Sequence, residues 1–162
     1  SEALIDVRRS FYNVEGIQPS RYVVMAAGFS RRGRHIDAVG LLRNSVSEDA
    51  DDGEAWLALA LALADHTRGR VTPPVAYAFE RAREASPGSP APAYFQGLMR
   101  MRMGDLGGAR DYWRQAVEDA SEDARGRDYV AAQLERLEGV IGVLGENPQS
   151  RAPMMQPPPV QD

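Results

Sequence analysis

The sequence lacks cysteine and lysine altogether and contains only two histidines, His35 and His66. Without thiols the chain cannot form disulfides, thiolate zinc sites or the CxxCH motif that attaches haem covalently. Without lysine it cannot use Schiff-base chemistry or a P-loop lysine. Because the two histidines lie 31 residues apart, a histidine-rich metal site is also disfavoured. We therefore expect neither a metal site nor a cofactor.

Long apolar runs and an excess of positive charge are absent as well. A membrane-spanning helix needs roughly 18 apolar residues, whereas the longest apolar run, residues 55–64, has ten. Glu54 and Asp65 flank this run, which therefore predicts a buried helix. The net charge of -4 argues against a protein whose main partner is nucleic acid. No signal peptide is expected at Ser1.

The order of turn signals predicts an all-α chain. Glycine and proline clusters occur near residues 32–33, 51–53, 72–74, 87–90 and 104–105, and the segments between them show helical rather than alternating periodicity. Each segment has the length of one helix. Short loops between short helices predict antiparallel helical hairpins.

The hairpins also repeat. Tyr22 aligns with Trp56, and Phe79 aligns with Trp113, both at a spacing of 34 residues. This spacing, with small residues between the large ones, resembles the tetratricopeptide repeat (TPR). The resemblance implies a right-handed superhelix of three units, at residues 19–52, 53–89 and 90–123. The second unit has three extra residues between its two helices.

Further segments flank the three units. Residues 1–18 are predicted to be a leading helix and a linker, with Leu4, Val7 and Phe11 on one face, and whether this helix packs on the repeats is left open. A capping helix is expected at about residues 128–144, which closes a TPR domain spanning 19–146. Residues 147–162 are proline-rich and are expected to be extended or flexible.

TPR stacks are curved, and the first helix of each unit lines the concave groove. The groove positions implied by this resemblance are mostly apolar and suit an amphipathic helix laid in by its apolar face. Leu57 and Leu61 belong to a helix that is apolar all round, so they are either groove or core residues. The predicted binding residues are Val23, Ala27, Arg31, Leu57, Leu61, Asp65, Tyr94, Leu98, Met101 and Arg102.

A closer resemblance rests on residues 53–114. The expanded turn GRVTP at 69–73, AFERA at 78–82, SPG at 86–88, FQGL at 95–98 and GGAR at 107–110 resemble the periplasmic TPR domain of CcmI/CycH-type cytochrome c maturation proteins. The resemblance extends over about residues 22–137. Its most specific element is Val-Thr-Pro after the expanded turn, where Thr72 is expected to cap the next helix and Pro73 to occupy its first position.

The resemblance implies an apocytochrome c chaperone in the haem-ligation system. Such a protein holds the C-terminal helix of the apocytochrome and presents it to membrane proteins that ligate haem. It would act in the periplasm, attached to the membrane only by an anchor outside this chain. The alternative is a generic TPR scaffold for another envelope or cytosolic complex.

An enzyme is the third hypothesis, and the sequence disfavours it. Acids, bases and nucleophiles do not converge at a usable spacing. Ser30, His35 and Asp37 come nearest to a hydrolytic set, but they lie around a repeat turn without a strand-turn-helix elbow. The acidic residues 47–52 are interpreted as a solvated turn rather than a calcium loop. We therefore expect a protein that is not an enzyme.

Overall fold

A computed structural model describes residues 2–146 of the chain. These residues form eight helices and no strand. The proline-rich tail predicted at 147–162 lies outside the described residues. The helices are α1 (Glu2–Tyr12), α2 (Arg21–Arg31), α3 (His35–Glu48), α4 (Gly53–His66), α5 (Pro73–Glu84), α6 (Ala91–Arg102), α7 (Leu106–Asp119) and α8 (Arg127–Glu146).

Three of the helix pairs, α2–α3, α4–α5 and α6–α7, are hairpins whose members pack against each other. Gly33 ends the first turn with φ +72°, and Gly104 takes the same place between α6 and α7 with φ +79°. This left-handed conformation costs glycine little and other residues more. The predicted all-helical hairpin architecture is therefore confirmed for the described residues, and the glycines fix the short turns.

The longer α4–α5 connection differs from its prediction in one detail. Thr72 stands at the N-cap position of α5, but its side chain makes no capping hydrogen bond. Pro73 and Pro74 open the helix and carry no backbone N–H, and Pro74 thereby removes one of the two backbone donors that a capping side chain can use. The Thr72 carbonyl instead accepts the first helical hydrogen bond, from Ala76 N at 2.9 Å.

Small residues let the paired helices approach closely. A β-carbon at Gly97 of α6 would overlap the indole of Trp113 on α7. The same indole donates a hydrogen bond from Nε1 to the Tyr94 carbonyl at 2.9 Å and stacks on the Tyr94 ring. Trp56, Phe79 and Trp113 are all buried, as predicted for packing residues.

The capping helix α8 packs on α7. Its apolar positions follow three- and four-residue spacing, and Val130 and Leu137 are buried while Leu134 and Ile141 pack against the core. The helix extends slightly beyond the predicted 128–144 at both ends.

The leading helix α1 also packs on the other helices, which answers the question that the sequence left open. Phe11 belongs to the central core, and Leu4 and Val7 pack against it. The buried positions of α1 are, however, Ile5, Arg8 and Phe11. The helix ends at Tyr12, after which a turn closed by Ile17 N and the Val14 carbonyl at 3.0 Å leads to α2.

Candidate helix-binding groove

Helix α1 lies beside most of the residues that the sequence predicts to bind a helix, and we call the surface that these residues form the candidate groove. Seven of the ten predicted binding residues lie beside this helix. Three of them belong to α2 and share a cavity with Ile5, Arg8 and Arg9. Three others, from α4 and α6, line a second cavity with Leu4, Ile5 and Arg8, and the seventh contacts the ring of Phe11. The three residues of α2 are Val23, Ala27 and Arg31. Those of the second cavity are Leu61, Asp65 and Arg102, and the residue that contacts Phe11 is Tyr94.

The other three predicted residues are not placed beside α1. Leu57 is fully buried and belongs to the core. Its burial agrees with the interpretation of Leu57 as a core residue rather than a groove residue. Leu98 and Met101 are partly buried and pack against the same core. Leu61 differs from Leu57, since it is half-buried and lines the cavity next to α1.

An ion pair joins the middle of α1 to α4. Arg8 is only 4% exposed and Glu54 only 7%. The Arg8 Nε lies 3.5 Å from Glu54 Oε1, and the Arg9 Nη1 lies 3.4 Å from Oε2. Burial raises the pKa of the Glu54 carboxyl, and the two arginines partly offset that rise. The carboxylate therefore depends on cations supplied by α1.

Arg8 is itself incompletely satisfied. Burial lowers the pKa of its guanidinium, and Glu54 partly offsets this. Its Nη2 has no hydrogen-bond acceptor among the described residues, and its Nε meets Glu54 only at the 3.5 Å separation of the ion pair. Arg8 also borders a cavity of about 50 Å³, together with Leu61, Asp65 and Met99. The fit of α1 therefore leaves space beside the Arg8 side chain.

An aromatic cluster holds the C-terminal end of α1. The Phe11 ring centroid lies 5.5 Å from that of Tyr94 and 6.2 Å from those of Phe95 and Tyr129. Gly126, just before α8, borders the same ring, and a β-carbon there would overlap it. Edge-to-face and tilted aromatic contacts of this kind add about 0.5–1.5 kcal/mol to the burial of apolar area.

Two tyrosine hydroxyls close this end of the groove. Tyr12 Oη lies 2.9 Å from Ser86 Oγ, and burial raises the pKa of Tyr12 to about 12. Tyr94 Oη lies 3.2 Å from Tyr129 Oη, and burial together with this contact raises the pKa of Tyr94. Both hydroxyls therefore stay protonated at neutral pH and serve as hydrogen-bonding groups.

At its N-terminal end α1 makes only exposed ion pairs. Arg31 of α2 lies 3.6 Å from Glu2 and 3.8 Å from Asp6. All three side chains are more than 40% exposed, and exposed pairs of this kind contribute about 0–1 kcal/mol. The docking of α1 therefore depends on its apolar stripe and on the Glu54 contacts.

The sequence reasoning missed Arg8 as part of the site. It treated α1 as an apolar face, since arginine is seldom fully buried. The signal that could have found it is the pair Arg8 and Arg9 in the middle of an amphipathic helix, opposite an acidic groove position at Glu54.

The two histidines and the acidic loop lie at the ends of helices. His35 begins α3, and its Nδ1 lies 4.0 Å from Asp65 Oδ2. His66 is exposed at the end of α4. In the acidic loop, Asp52 caps α4 by accepting a hydrogen bond from Ala55 N at 2.9 Å. Within residues 2–146 no group of three acidic, histidine or cysteine side chains is placed to hold a metal ion.

Over the part of the chain that the structure describes, no helix is long and apolar enough to cross a bilayer. No protein-family model matches the chain. Over 116 residues it is 33% identical to the cytochrome c-type biogenesis protein CycH of Bradyrhizobium diazoefficiens. The match covers 72% of this chain and 31% of that relative, so the chain spans about a third of the relative's length. This chain is therefore related to CycH, a protein of cytochrome c-type biogenesis.

Proposed function

We propose that this chain is a non-catalytic TPR module of the CcmI/CycH type. In this proposal it takes part in cytochrome c maturation by holding an amphipathic helix of a client protein in the groove formed by α2, α4 and α6. The proposed module spans residues 19–146, and its three hairpins form a right-handed superhelix closed by α8. It carries no cofactor and performs no bond-forming step.

The observation that carries the proposal is that the groove already accepts an amphipathic helix. Side chains from three successive hairpins lie beside α1: Val23 of α2 and Leu61 of α4 line cavities with residues of α1, and the Tyr94 ring of α6 contacts that of Phe11. A helix laid into an apolar groove by one face is a general mode of peptide recognition. Because these residues come from successive repeats, their arrangement supports a groove that binds one helix along its whole length.

The 34-residue spacing supports the TPR assignment. It aligns Trp56 with Tyr22 and Trp113 with Phe79, so each pair has equivalent positions in successive hairpins. Gly97 also stands where a repeat needs a small residue, because Trp113 leaves no room for a β-carbon there. A stack of such hairpins buries a continuous core and leaves one face open for a ligand.

The relationship to CycH supports the choice of client. We propose that the client is an apocytochrome c, held by its C-terminal helix and handed to membrane proteins that ligate haem. The module would then work in the periplasm, attached by an anchor outside this chain. Alkaline phosphatase fused after residue 162 of the longer parent protein would test this location, and an inactive but intact fusion would contradict it.

Titration of the full chain with a labelled C-terminal helix peptide of a c-type apocytochrome tests the function. We expect micromolar binding, and we expect Leu61→Arg to weaken it at least about tenfold, since that change removes roughly 1.4 kcal/mol or more of binding free energy. Val140→Arg, on the exposed side of α8, is the matched control and should bind normally. Circular dichroism verifies that each variant is folded. A folded chain that does not bind the peptide would contradict the proposed client.

A further inference from the structure

We infer that α1 is an intramolecular ligand of the groove, and that a client helix binds by displacing it. The displacing helix would carry the same pattern: an aliphatic residue, a basic residue three positions later and an aromatic residue three positions further. This inference rests on the proposed helix-binding function and adds to it the chemistry of the ligand and a competitor built into the chain.

The pattern follows from the buried positions of α1. Ile5, Arg8 and Phe11 are 7%, 4% and 5% exposed. Residues spaced by three lie along one side of a helix. The opposite side, with Asp6 and Ser10, is exposed. A ligand helix that enters the same groove meets the same three surfaces, in the same order.

The requirement for a basic residue comes from Glu54. Its carboxylate is buried on the groove side of α4, and the ion-pair partners that the structure gives it, Arg8 and Arg9, both belong to α1. When α1 leaves, a carboxylate in an apolar groove loses its cations. A ligand helix with arginine or lysine at the central position restores the pair, whereas one with an acidic residue there is repelled.

The requirement for an aromatic residue comes from the opposite end. The Phe11 ring is surrounded by Tyr94, Phe95 and Tyr129. Gly126 leaves room for it, because a β-carbon at this position would overlap the ring. The slot is therefore shaped for a flat ring at the third position of the pattern.

Several features favour the exchange of α1 for another helix in the groove. It packs less closely on the neighbouring helices than consecutive helices of the stack pack on each other. Nη2 of Arg8 has no acceptor among the described residues, and the Arg8 side chain borders a cavity of about 50 Å³. The segment 13–20 keeps the helix tethered when it leaves. A competitor that occupies the groove about 90–99% of the time lowers the apparent affinity for an external helix about 10- to 100-fold.

The first experiment uses a fluorescein-labelled peptide of residues 1–14 as the probe and the full 162-residue chain as the receptor. The Phe11→Ala chain, in which α1 is weakened, should bind the peptide at least about tenfold more tightly than the natural chain. Ile5→Glu weakens α1 at its other end and should act in the same direction. Ser10→Ala, on the exposed side of α1, is the matched control and should leave affinity unchanged. Equal affinity of the natural chain and both weakened variants would overturn the inference.

The second experiment tests the charge requirement. A chain carrying Glu54→Arg should reject the natural peptide and bind a peptide carrying Arg8→Glu and Arg9→Glu. The unmodified chain should show the reverse preference, and the crossed pairs should differ about tenfold or more. Binding that ignores the charges would overturn the role assigned to Glu54.

The apocytochrome peptide separates this inference from the proposed function. If it binds the natural chain and the Phe11→Ala chain equally well, the function stands and the competitor role of α1 fails. If only the α1 peptide binds, with the expected preference for the weakened chains, the client assignment fails and the role of α1 stands.

Discussion

The contact between α6 and α7 and the contact between α1 and the groove are both buried, but they differ in how closely their partners fit. At the first, Gly97 meets Trp113 with no room for a β-carbon, and the indole is fixed by stacking and by a hydrogen bond. At the second, Arg8 borders a cavity, and its Nη2 has no acceptor within residues 2–146. The first contact accepts one arrangement of side chains, whereas the second leaves space for others.

From this difference we expect the contact between α6 and α7 to persist and the contact made by α1 to exchange. A close fit between small and large residues penalises any change of volume. In our proposal, the candidate groove accepts any helix that supplies an aliphatic, a basic and an aromatic side chain. Stability and binding would then depend on different surfaces of the same helices.

The largest effect on stability is expected when two buried phenylalanines are replaced and compared. Phe79 lies within the hairpin stack and Phe11 lies on α1, and they are 1% and 5% exposed. Phe79→Ala should lower the free energy of unfolding of the whole chain by about 4 kcal/mol, as is usual for such truncations. Phe11→Ala should instead release α1 alone. Hydrogen exchange would then speed up in α1 while α4 and α7 keep their protection, and loss of protection throughout would remove the distinction.

The next prediction compares two glycines in helices. Gly97→Ala pushes a methyl group against the Trp113 indole and should lower the free energy of unfolding by about 1–3 kcal/mol. Gly40 of α3 has nothing near its missing side chain, so Gly40→Ala should raise the free energy of unfolding by about 0.5–1 kcal/mol. Chemical denaturation measures both. If both substitutions changed the free energy of unfolding in the same direction, packing around the glycine would not determine the effect of the added methyl group.

The third prediction concerns pH. Burial already raises the pKa of Glu54, so its ionisation reduces stability as the pH rises above the ordinary glutamate value of 4.5. Arg8→Gln removes a partner that lowers this pKa, so the pKa should rise further and the variant should go on losing stability up to a higher pH than the natural chain does. The gap between the two chains should widen by about 1.4 kcal/mol for each unit of additional pKa shift. Carboxyl NMR titration and denaturation at several pH values measure this, and a gap independent of pH would contradict it.

The smallest effect is expected at Tyr12. Tyr12→Phe removes the hydroxyl that lies 2.9 Å from Ser86 Oγ and should cost about 0.5–1.5 kcal/mol. Tyr77→Phe, at a site 61% exposed, is the control and should change stability by less than about 0.5 kcal/mol. Thermal unfolding distinguishes the two. Equal effects would indicate that the hydroxyl contact holding α1 contributes nothing.

The helices and their turns were predictable because the information is local. Gly33 and Gly104 have a backbone conformation that favours glycine, so they mark turns in the sequence as well as in the structure. The face of α8 that carries Val130 and Leu137 follows from spacing alone. Thr72 shows the limit of local rules, because Pro74 removes one of the two backbone donors that a capping side chain can use, and the Thr72 side chain makes no capping hydrogen bond.

The candidate site was predictable only in part. Periodicity gives a helix its apolar face but does not name the surface that receives it, so the docking of α1 could not be foreseen. Leu57 and Leu61 were indistinguishable because α4 is apolar on all sides, and only the three-dimensional packing separates the fully buried Leu57 from Leu61, which lines the cavity beside α1. Burial of Arg8 depends on Glu54, which lies 46 residues away in the sequence.

The stacking of Trp113 on Tyr94 gives the chain an optical signal of its own. The two rings are 5.5 Å apart and nearly parallel, and Tyr94 also contacts Phe11. Exchange of the helix in the groove therefore alters the surroundings of the Trp113 indole through one intervening ring. Trp56 is held by Ala50 and by residues of α5, so a Trp56→Phe chain leaves a single emitter beside the groove. The emission spectrum of that chain would follow the occupancy of the groove in real time, without an attached dye.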